Sequence, residues 1–389
     1  MNLRRGGYMN WEAFSADATC SESLPLIFRI TIKESSFMNK SFEEKAAEEC
    51  VKSIQRNNGP SIASRFLTPG SMCQKKFSTG FHALDKALSG GFTKGLSLIG
   101  AIPGIGKSAM CINLAYEMCK TGTNVIYLSL EMDADSEIMA RMISLQSSEM
   151  FGFTDKAFTV DELTRFDAEQ FATWDYKKQD RYFAAVEAVV DTTKTLTIWD
   201  HQDGTYSTKK LEEDLKKYFA ASGENNDTPI LIVDYVQILD AANAGSYGTD
   251  KMRVEATLRN LKSMSVKYDM PIIAISALSR ESYKKGVDLS SFKETGLMEY
   301  IAKSIIGLDL EGIGEKGFDY KDAMRQEPRC IDLSILKQRN APSGAVLKYD
   351  FHLKYNRIVE RESVAANVTS NARKQQKNTE PKPFAGFDA

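Results

Sequence analysis

The chain has 389 residues, of which 42% are hydrophobic and 26% are charged. These fractions are typical of a folded globular protein and exclude a fibrous or wholly disordered one. The formal net charge is −2, so the field of the whole molecule does not attract nucleic acid or an acidic membrane, and any contact with DNA has to come from local basic loops.

The six cysteines and three histidines contain no Cys-x-x-Cys pair and no zinc-ligand spacing. We therefore expect reduced thiols and a cytoplasmic protein. The apolar stretch at residues 24–32 is interrupted by Pro25 and Arg29, and no run approaches the ~20 apolar residues that span a bilayer. We expect no signal peptide and no membrane segment.

The first predicted helix lies ahead of the main domain. Residues 1–40 show no sustained periodicity and are interpreted as an N-terminal extension, and residues 41–77 are interpreted as an amphipathic helix followed by a linker. Ser41 and Glu44 have the spacing of a capping box, and apolar residues then recur every four positions, at Phe42, Ala46, Cys50 and Ile54. This helix packs either on its own domain or on a neighbouring subunit, and the pattern does not decide between the two.

Regular alternation of apolar strands and helices begins at Leu96. It predicts an α/β domain over residues 78–362, with a mostly parallel sheet and helices on both faces. Residues 159–190 are interpreted as a mainly helical elaboration, and residues 363–389, rich in Asn, Lys, Gln, Pro and Ala, as a disordered tail. The predicted strands are 96–100, 124–131, 230–239, 271–278 and 331–337, and the predicted helix after the first strand is 108–120.

A phosphate-binding loop follows the first of these strands. Alanine stands in the place of the first glycine of the P-loop pattern, and the loop lies between a predicted strand and a predicted helix, as the motif requires. Backbone N–H groups of such a turn cradle phosphates, the lysine can reach the β- and γ-phosphates, and the serine hydroxyl can ligate Mg²⁺. The loop therefore predicts a site for ATP and Mg²⁺, rather than a turn without ligand. Its residues are Ala101, Ile102, Pro103, Gly104, Ile105, Gly106, Lys107 and Ser108.

Two acidic residues follow apolar strands. Asp234 ends the run 230–233, which is the Walker B arrangement that holds the metal, directly or through water, beside the P-loop. Glu131 ends the run 125–130, and a second acid at the carboxyl edge of the sheet can polarise the attacking water. Without a P-loop, Glu131 would be interpreted as a solvated charge at a strand end; the P-loop favours the catalytic interpretation.

Further segments resemble one family of motors. Thr79-Gly80, Leu84-Asp85 and Gly90-Gly91 ahead of the P-loop resemble the RecA superfamily branch that includes KaiC, RadA and DnaB. The resemblance to DnaB covers about residues 78–360 and implies a RecA-like P-loop NTPase core; the run at 337–340 is its most specific part. The segments that resemble DnaB motifs, in DnaB order, are Ser129-Leu130-Glu131-Met132, Asp234-Tyr235-Val236-Gln237, Ser276-Ala277-Leu278-Ser279-Arg280, and Lys337-Gln338-Arg339-Asn340 with Pro342 and Gly344.

The resemblance to DnaB-type replicative helicases implies roles for individual residues. Glu131 corresponds to the catalytic base, Asp234 to the metal-binding acid, and Lys337 and Arg339 to groups that reach the γ-phosphate of the neighbouring subunit. A shared site of this kind implies a ring-shaped homo-oligomer, in this family a hexamer, that moves 5′ to 3′ on single-stranded DNA, with a primase or a loader protein as partner. On the residues alone, Lys337 and Arg339 could be solvated charges, but an arginine fork adds charge stabilisation that a P-loop site needs.

The candidate DNA contacts lie in two loops, at residues 241–253 and 280–293, where the family meets DNA. They are Lys251, Arg253, Arg280, Lys284 and Lys285, with Tyr247 and Tyr283 between them. Basic residues interleaved with aromatic ones suit tracking of the phosphate backbone with some base stacking. As isolated charges, such residues are more often solvated loop positions.

The chain departs from the family in several places. Ala277 stands where the family has glutamine, which removes a polar sensor between the γ-phosphate and the DNA loops. Glu294-Thr295-Gly296 and residues 298–303 replace a more acidic family motif, and residues 1–60 show no counterpart of the globular N-terminal domain of full-length DnaB helicases. These departures point to a phage or mobile-element relative and leave the coupling of hydrolysis to translocation open.

Two other functions fit the same core. One is a regulatory or scaffold ATPase resembling KaiC, which the run 337–340 argues against and Ala277 leaves room for. The other is a recombination-accessory motor resembling RadA, which would normally bring a zinc finger that this cysteine pattern lacks. Stimulation of ATP hydrolysis by single-stranded DNA distinguishes the motors from the scaffold.

Overall fold

The computed structural model describes residues 74–201, 206–223, 227–241, 249–278, 285–292, 297–339 and 341–361. The predicted N-terminal extension, the helix at residues 42–54 and the predicted tail lie outside the described residues. The chain divides into two compact units after Gln74, and all other described residues belong to the second unit. The domain limits 1–40, 41–77, 78–362 and 363–389 stay predictions.

The strands, in chain order, are β1 (Lys76–Phe77), β2 (Phe92–Thr93), β3 (Gly95–Ala101), β4 (Val125–Ser129), β5 (Leu196–Asp200), β6 (Ile230–Asp234), β7 (Pro271–Ala277), β8 (Ser304–Leu310), β9 (Arg329–Gln338), β10 (Val346–His352) and β11 (Arg357–Glu360). β1 and β2 form an antiparallel ribbon, and the others form one nine-stranded sheet in the order β11-β10-β9-β8-β3-β7-β6-β4-β5. From β8 to β5 the neighbouring strands are parallel. β9, β10 and β11 add antiparallel pairs at the other side. The prediction of a mostly parallel sheet is confirmed.

The helices are α1 (His82–Ala87), α2 (Lys107–Lys120), α3 (Met139–Phe151), α4 (Val160–Arg165), α5 (Ala168–Thr173), α6 (Tyr176–Thr192), α7 (Thr208–Ser222), α8 (Asp250–Lys267), α9 (Leu297–Ile301) and α10 (Tyr320–Arg325). A π-helical turn, Ala134–Ile138, leads into α3, and 3₁₀ turns lie at Leu289–Phe292 and Leu353–Tyr355. Within the described ranges, no helix has both the length and the apolar character to cross a membrane.

The core lies on both faces of the central strands. Every residue of β3, β4, β6 and β8 is buried. Such strands are continuous apolar runs instead of alternating ones, because helices cover a parallel sheet on both sides. α2 packs on β3, β4 and β6, and α8 packs on β3 and β7. The continuous apolar runs in the sequence are therefore a consequence of burial on two faces.

The elaboration at residues 159–190 consists of α4, α5 and α6, as the sequence predicts. Each helix begins after a residue whose side chain caps it, namely Thr159, Asp167 and Asp175. The aromatic residues of the segment pack on one another: the Trp174 ring lies 5.5 Å from that of Phe158 and 5.0 Å from that of Phe166. The mixture of acids and aromatic residues in this segment is thus explained by caps and a small core.

Two predicted boundaries are wrong. The strand predicted at 230–239 ends at Asp234, because the chain then turns and the N–H of Val236 donates to the carbonyl of Ile275 at 3.0 Å. The predicted loop 241–253 is already helical from Asp250, because the Thr249 hydroxyl accepts the N–H of Met252 and caps α8. β5, β8, β10 and β11 were not among the predicted strands.

Candidate active site

The P-loop lies between β3 and α2, as the sequence predicts. Ala101 is the last residue of β3, and an extended strand residue needs no glycine, which explains why alanine stands at the first position of the motif. Gly104 and Gly106 have φ angles of +83° and +126°, which favour glycine strongly. The carbonyl of Gly106 accepts the N–H of Met110 at 2.8 Å, so the loop passes directly into the first turn of α2.

Asp234 ends β6 beside the P-loop and is 1% exposed. Its Oδ2 accepts the hydroxyl of Tyr127, which lies in the adjacent strand β4, at 2.8 Å. Burial raises the pKa of Asp234, whereas hydrogen bonds from Tyr127 and Ser108 lower it. Among the described residues the buried Oδ1 has no hydrogen-bond partner of good geometry.

A divalent cation fits this arrangement. A buried carboxylate oxygen without a partner is costly, so the Asp234 oxygen has a need that a cation meets. Mg²⁺ takes oxygen ligands, often one or two from side chains and the rest from phosphates and water. No group of three or more His, Cys, Asp or Glu that could hold a metal occurs in the described part of the chain, so phosphate and water would complete a site at Ser108 and Asp234.

Lys107 is the first residue of α2 and is partly buried. Burial lowers the pKa of its ammonium group, whereas the charges of Asp234 and Glu131 raise it. The two acids therefore act on the same lysine. The structure brings Lys107, Ser108, Glu131 and Asp234 together at the carboxyl edge of the sheet.

Glu131 lies at the tip of a tight turn after β4. The Ser129 hydroxyl donates to the carbonyl of Met132 at 2.6 Å and accepts its N–H at 3.1 Å, and the N–H of Leu130 donates to the Asp234 carbonyl at 2.9 Å. These bonds fix the turn against β6 and leave the Glu131 side chain exposed. The Ser129 to Met132 motif is thus a device that presents one carboxylate.

The residues ahead of the P-loop have structural parts. Asp85 accepts the Ser78 hydroxyl at 2.5 Å and the N–H of Thr79 at 2.7 Å. A Cβ atom on Gly91 would lie 2.0 Å from the carbonyl oxygen of Phe77, so only glycine fits there. This segment closes the β1–β2 ribbon against the domain and carries no group of the site.

Lys337 and Arg339 lie at the opposite edge of the sheet from the P-loop. β9 is antiparallel to β8, with Ser304 paired to Gln338, and β8 is parallel to β3. The end of β9 therefore lies where β3 begins, and the seven residues of β3 span about 20 Å. β10 and β11 lie beyond β9, so Arg339 is at the end of a strand and not at the outer side of the sheet, where we expected it.

Both cations contact the end of helix α9. The Lys337 ammonium donates to the carbonyls of Glu299 and Ala302, the second at 2.9 Å, and Arg339 donates to the carbonyl of Tyr300. Cations at the C-terminal end of a helix are favourable because the last carbonyls carry partial negative charge. In a single subunit the two side chains therefore lie on α9, which contains the segment that departs from the family.

Lys94, Lys262 and Lys303 surround these two cations. The Lys303 ammonium donates to the Lys94 carbonyl at 3.1 Å, and the N–H of Arg339 donates to the Lys303 carbonyl at 3.1 Å. Burial lowers the pKa of Lys262 and of Lys303, and repulsion by Arg339 and by Lys94 lowers both further. The amino edge of the sheet is thus strongly cationic, which the run 337–340 by itself did not indicate.

Three of the five DNA-binding candidates fall within the described residues. Lys251 is exposed in the first turn of α8, and not in a loop as predicted. Arg253, in the same turn, forms ion pairs with Asp240 at 3.8 Å and Asp250 at 3.2 Å, so acids partly neutralise its charge. Lys285 is exposed. Arg280 and Lys284, together with Tyr247 and Tyr283, lie outside the described residues.

Ala277 receives a polar partner from elsewhere. Gln237 accepts the N–H of Ala277 at 3.2 Å and donates to its carbonyl at 3.1 Å. The same amide donates to the Ser276 hydroxyl at 3.1 Å. Gln237 therefore joins the segment after Asp234 to the end of β7, where the family glutamine is missing.

No motif in the sequence indicates Arg329, yet its guanidinium group contacts the P-loop. A signal was available: Arg329, Ile331, Leu333 and Ile335 alternate along β9, and this face is buried. A charged residue on the apolar face of a strand requires a partner.

A cavity of about 620 Å³ lies away from the P-loop. It is lined by residues of the π-helical turn, α3, α4 and the 3₁₀ turn at Leu353–Tyr355, and by no P-loop residue. We give the P-loop precedence because its charged groups have a defined chemistry, whereas the cavity has only size.

Comparisons with known proteins agree on one family. The family model of the DnaB-like helicase C-terminal domain matches residues 77–360. The replicative DNA helicase DnaB of Geobacillus stearothermophilus is 25% identical over 288 residues, which is 73% of this chain and 56% of that protein. The replicative DNA helicase DnaC of Bacillus subtilis (strain 168) has the same identity and coverage. The chain thus spans little more than half the length of these relatives.

Two solved structures share the fold. One is an isolated ATPase domain, which has a TM-score of 0.60 at 21% identity, covering 82% of this chain and 98% of that one. The other is a DnaB-like replicative helicase, studied with its interactions with primase, which has a TM-score of 0.62 at 20% identity, covering 87% of this chain and 75% of that one. The RecA-like fold expected from the sequence is confirmed.

Proposed function

Because the chain belongs to the DnaB-like helicase C-terminal domain family, we propose that it is an ATP-dependent DNA helicase that acts in DNA replication. In this proposal it works as a ring-shaped homo-oligomer, a hexamer, on single-stranded DNA and moves 5′ to 3′. The observation that carries the proposal is the division of charged groups between the two edges of the sheet. Lys107, Glu131 and Asp234 lie at one edge, and Lys337 with Arg339 lie at the other.

The carboxyl edge supplies the hydrolytic groups. Lys107 neutralises charge on the β- and γ-phosphates of ATP, and backbone N–H groups of the P-loop bind the phosphate oxygens. Glu131, exposed at its turn, accepts a proton from the attacking water. Ser108 and Asp234 would hold Mg²⁺, which when bound neutralises charge on the phosphates. Tyr127 keeps the Asp234 carboxylate oriented.

The amino edge supplies the groups that act on a neighbour. The length of β3 separates Arg339 from the P-loop of its own subunit, so Arg339 is not a candidate for its own nucleotide. A neighbouring subunit packed against this edge would bring its γ-phosphate to Lys337 and Arg339. The cationic surroundings, with Lys262 and Lys303, favour an anionic ligand there.

The remaining partners belong to the same proposal. Lys251, Arg253, Arg280, Lys284 and Lys285 are the candidate DNA contacts, and a primase or a loader protein is the candidate protein partner. The cytoplasm is the proposed location, and the described cysteines Cys111, Cys119 and Cys330 are free thiols, which supports it.

The test is ATP hydrolysis by the purified full chain with and without single-stranded DNA, followed by strand separation on duplexes with a 5′ or a 3′ tail. We expect DNA to stimulate hydrolysis and the 5′-tailed duplex to be opened. Hydrolysis that DNA does not change would overturn the helicase proposal in favour of a KaiC-like regulatory ATPase. Stimulation without strand separation would favour a RadA-like accessory motor.

A further inference from the structure

Arg329 is a buried cation beneath the P-loop. It is 4% exposed and begins β9 on the buried face of that strand. Its Nη1 donates to the carbonyls of Gly104 at 2.8 Å and Ile105 at 3.2 Å, and its Nη2 donates to the carbonyl of Met324 at 2.7 Å. One guanidinium group therefore joins the P-loop, the end of α10 and the start of β9.

The contacts of Arg329 are unusual for an arginine at this depth. None of the ion pairs formed among the described residues involves it, and its Nε is buried without a hydrogen-bond partner. The guanidinium carbon lies 5.9 Å from the ring centroid of Phe351, and that ring also closes the space under Gly106. Burial lowers the pKa of Arg329, and Glu327 and Tyr320 offset this in part. A charged group with backbone carbonyls as its hydrogen-bond acceptors is costly to bury, so its retention calls for a gain elsewhere.

The gain follows from peptide geometry. The peptides that join Gly104 to Ile105 and Ile105 to Gly106 are trans, so in each the C=O and the N–H point in opposite directions. Arg329 holds both carbonyls on its own side. The N–H groups of Ile105 and Gly106 therefore face away from Arg329, which leaves them free to bind phosphate oxygens.

We propose that Arg329 is a positioning residue of the nucleotide site, whose fork aims the P-loop N–H groups at the phosphates of a nucleoside triphosphate and whose unpaired charge favours that anion. The inference rests on the proposed ATPase function. Lysine cannot replace the fork, because it offers a point charge instead of two fixed donors. Glutamine keeps a donor but removes the charge.

The experiment compares three variants of the full chain, Arg329→Lys, Arg329→Gln and Arg357→Gln. Arg357 is the matched control: it is a partly buried arginine of β11 that pairs with Glu117 and Glu149, both at 2.6 Å, and does not touch the P-loop. The measurements are the dissociation constant of Mg²⁺-ADP from fluorescence of a labelled ADP, the rise in melting temperature that ADP causes, and kcat with KM for ATP.

We expect Arg329→Gln to weaken ADP binding about tenfold or more, as loss of charge-assisted hydrogen bonds implies, with Arg329→Lys intermediate and Arg357→Gln close to the unmodified chain. The melting temperature without nucleotide falls in both arginine positions, so only the change in ADP affinity reports positioning. If both Arg329 variants bind ADP as the control does, or fold only without binding differences, the positioning inference is overturned. If the unmodified chain neither binds nor hydrolyses ATP, the proposed function fails instead. A Gln variant that does not fold leaves the Lys variant to decide.

Discussion

At the scale of single residues, Asp309 is an acid that β8 buries outside the nucleotide site. It is 5% exposed, and burial raises its pKa to about 6. Its carboxylate accepts the N–H of Val287 at 2.6 Å and that of Leu310 at 2.9 Å, which lowers the pKa, while Asp332, opposite on β9, raises it. Val287 follows the candidate DNA contact Lys285 by two residues. Asp309 therefore ties the base of that candidate loop to the sheet.

We predict that Asp309 makes the stability of the protein depend on pH between about 4 and 6. The pKa of Asp309 in the folded protein, about 6, lies above the ~3.9 of an unfolded aspartate, so at intermediate pH the folded chain holds a proton that the unfolded chain has released. The free energy of unfolding therefore falls as the pH rises through this window, by up to about 1.4 kcal/mol per unit, and the contribution is level above it.

Urea unfolding of the unmodified chain and of Asp309→Asn at pH 4.5, 5.5 and 7 measures this dependence. Asparagine does not titrate, so the difference in free energy of unfolding between the two proteins should change with pH in favour of the variant as the pH rises. A difference that is the same at all three pH values would show that Asp309 is not the source.

Lys107 and Glu131 should separate binding from hydrolysis. Lys107→Ala removes the charge that compensates the phosphates, so we expect ATP binding and hydrolysis both to be lost. Glu131→Gln keeps the shape of an exposed side chain and removes the base, so ATP should bind normally while kcat falls by about 10² to 10⁴. The measurements are equilibrium nucleotide binding and steady-state hydrolysis. Near-normal turnover by Glu131→Gln would mean that another group is the base.

At the scale of elements, the hairpin of β10 and β11 fastens the end of the described domain to its beginning. Glu360 of β11 accepts the N–H groups of His82 at 3.0 Å and Ala83 at 2.7 Å, in the first turn of α1. Asn113 of α2 donates to the carbonyl of Asn356 at 2.7 Å and accepts the N–H of Ile358 at 3.0 Å. Phe81, which precedes α1, supplies no side-chain cap, so Glu360 does this from a distant strand.

We predict that Glu360→Ala lowers the free energy of unfolding by about 1 to 3 kcal/mol, because two N–H groups at a helix start lose a charged acceptor. Glu360→Gln keeps an acceptor oxygen and the size of the side chain, so its loss should be smaller. Both values come from urea unfolding followed by circular dichroism. Equal stability of the alanine variant and the unmodified chain would mean that water satisfies the N–H groups of α1 equally well.

At the scale of the whole molecule, β9 connects the two edges at which charged groups collect. Arg329 at its start contacts the P-loop, and Lys337 at its end contacts α9. Because β9 is antiparallel to the strands beside the P-loop, one strand reaches both edges. In an assembly, a change at one nucleotide would have a direct route through this strand to the groups that face the next subunit.

We predict that Arg339→Ala and Lys107→Ala subunits, each inactive alone, regain part of their ATPase activity when mixed. An interface that takes its P-loop from the first variant and its arginine from the second is complete. Removal of an arginine finger costs about 10³ to 10⁵ in rate in related P-loop enzymes, so the recovered activity stands well above either background. Rings shown by mass to be mixed, but without recovered activity, would count against a shared site.

The sequence by itself determined the fold class and the groups at the carboxyl edge. The P-loop, Asp234 and Glu131 each follow an apolar run directly, and the carboxyl ends of parallel strands meet at one edge, so local pattern was enough to bring them together. The strand boundaries were less well determined, because the turn after Asp234 depends on a bond to the carbonyl of Ile275 in another strand.

Only the tertiary structure decided where the antiparallel strands lie and what they touch. The direction of β9 places Arg329 beneath the P-loop and Arg339 at the far edge, and the same register pairs Asp332 with Asp309. None of these contacts is local in the chain: Arg329 lies 225 residues after Gly104. A motif reports a residue and its sequence neighbours, whereas the charge, burial and hydrogen bonds of Arg329 and Asp309 come from strands that pack beside them.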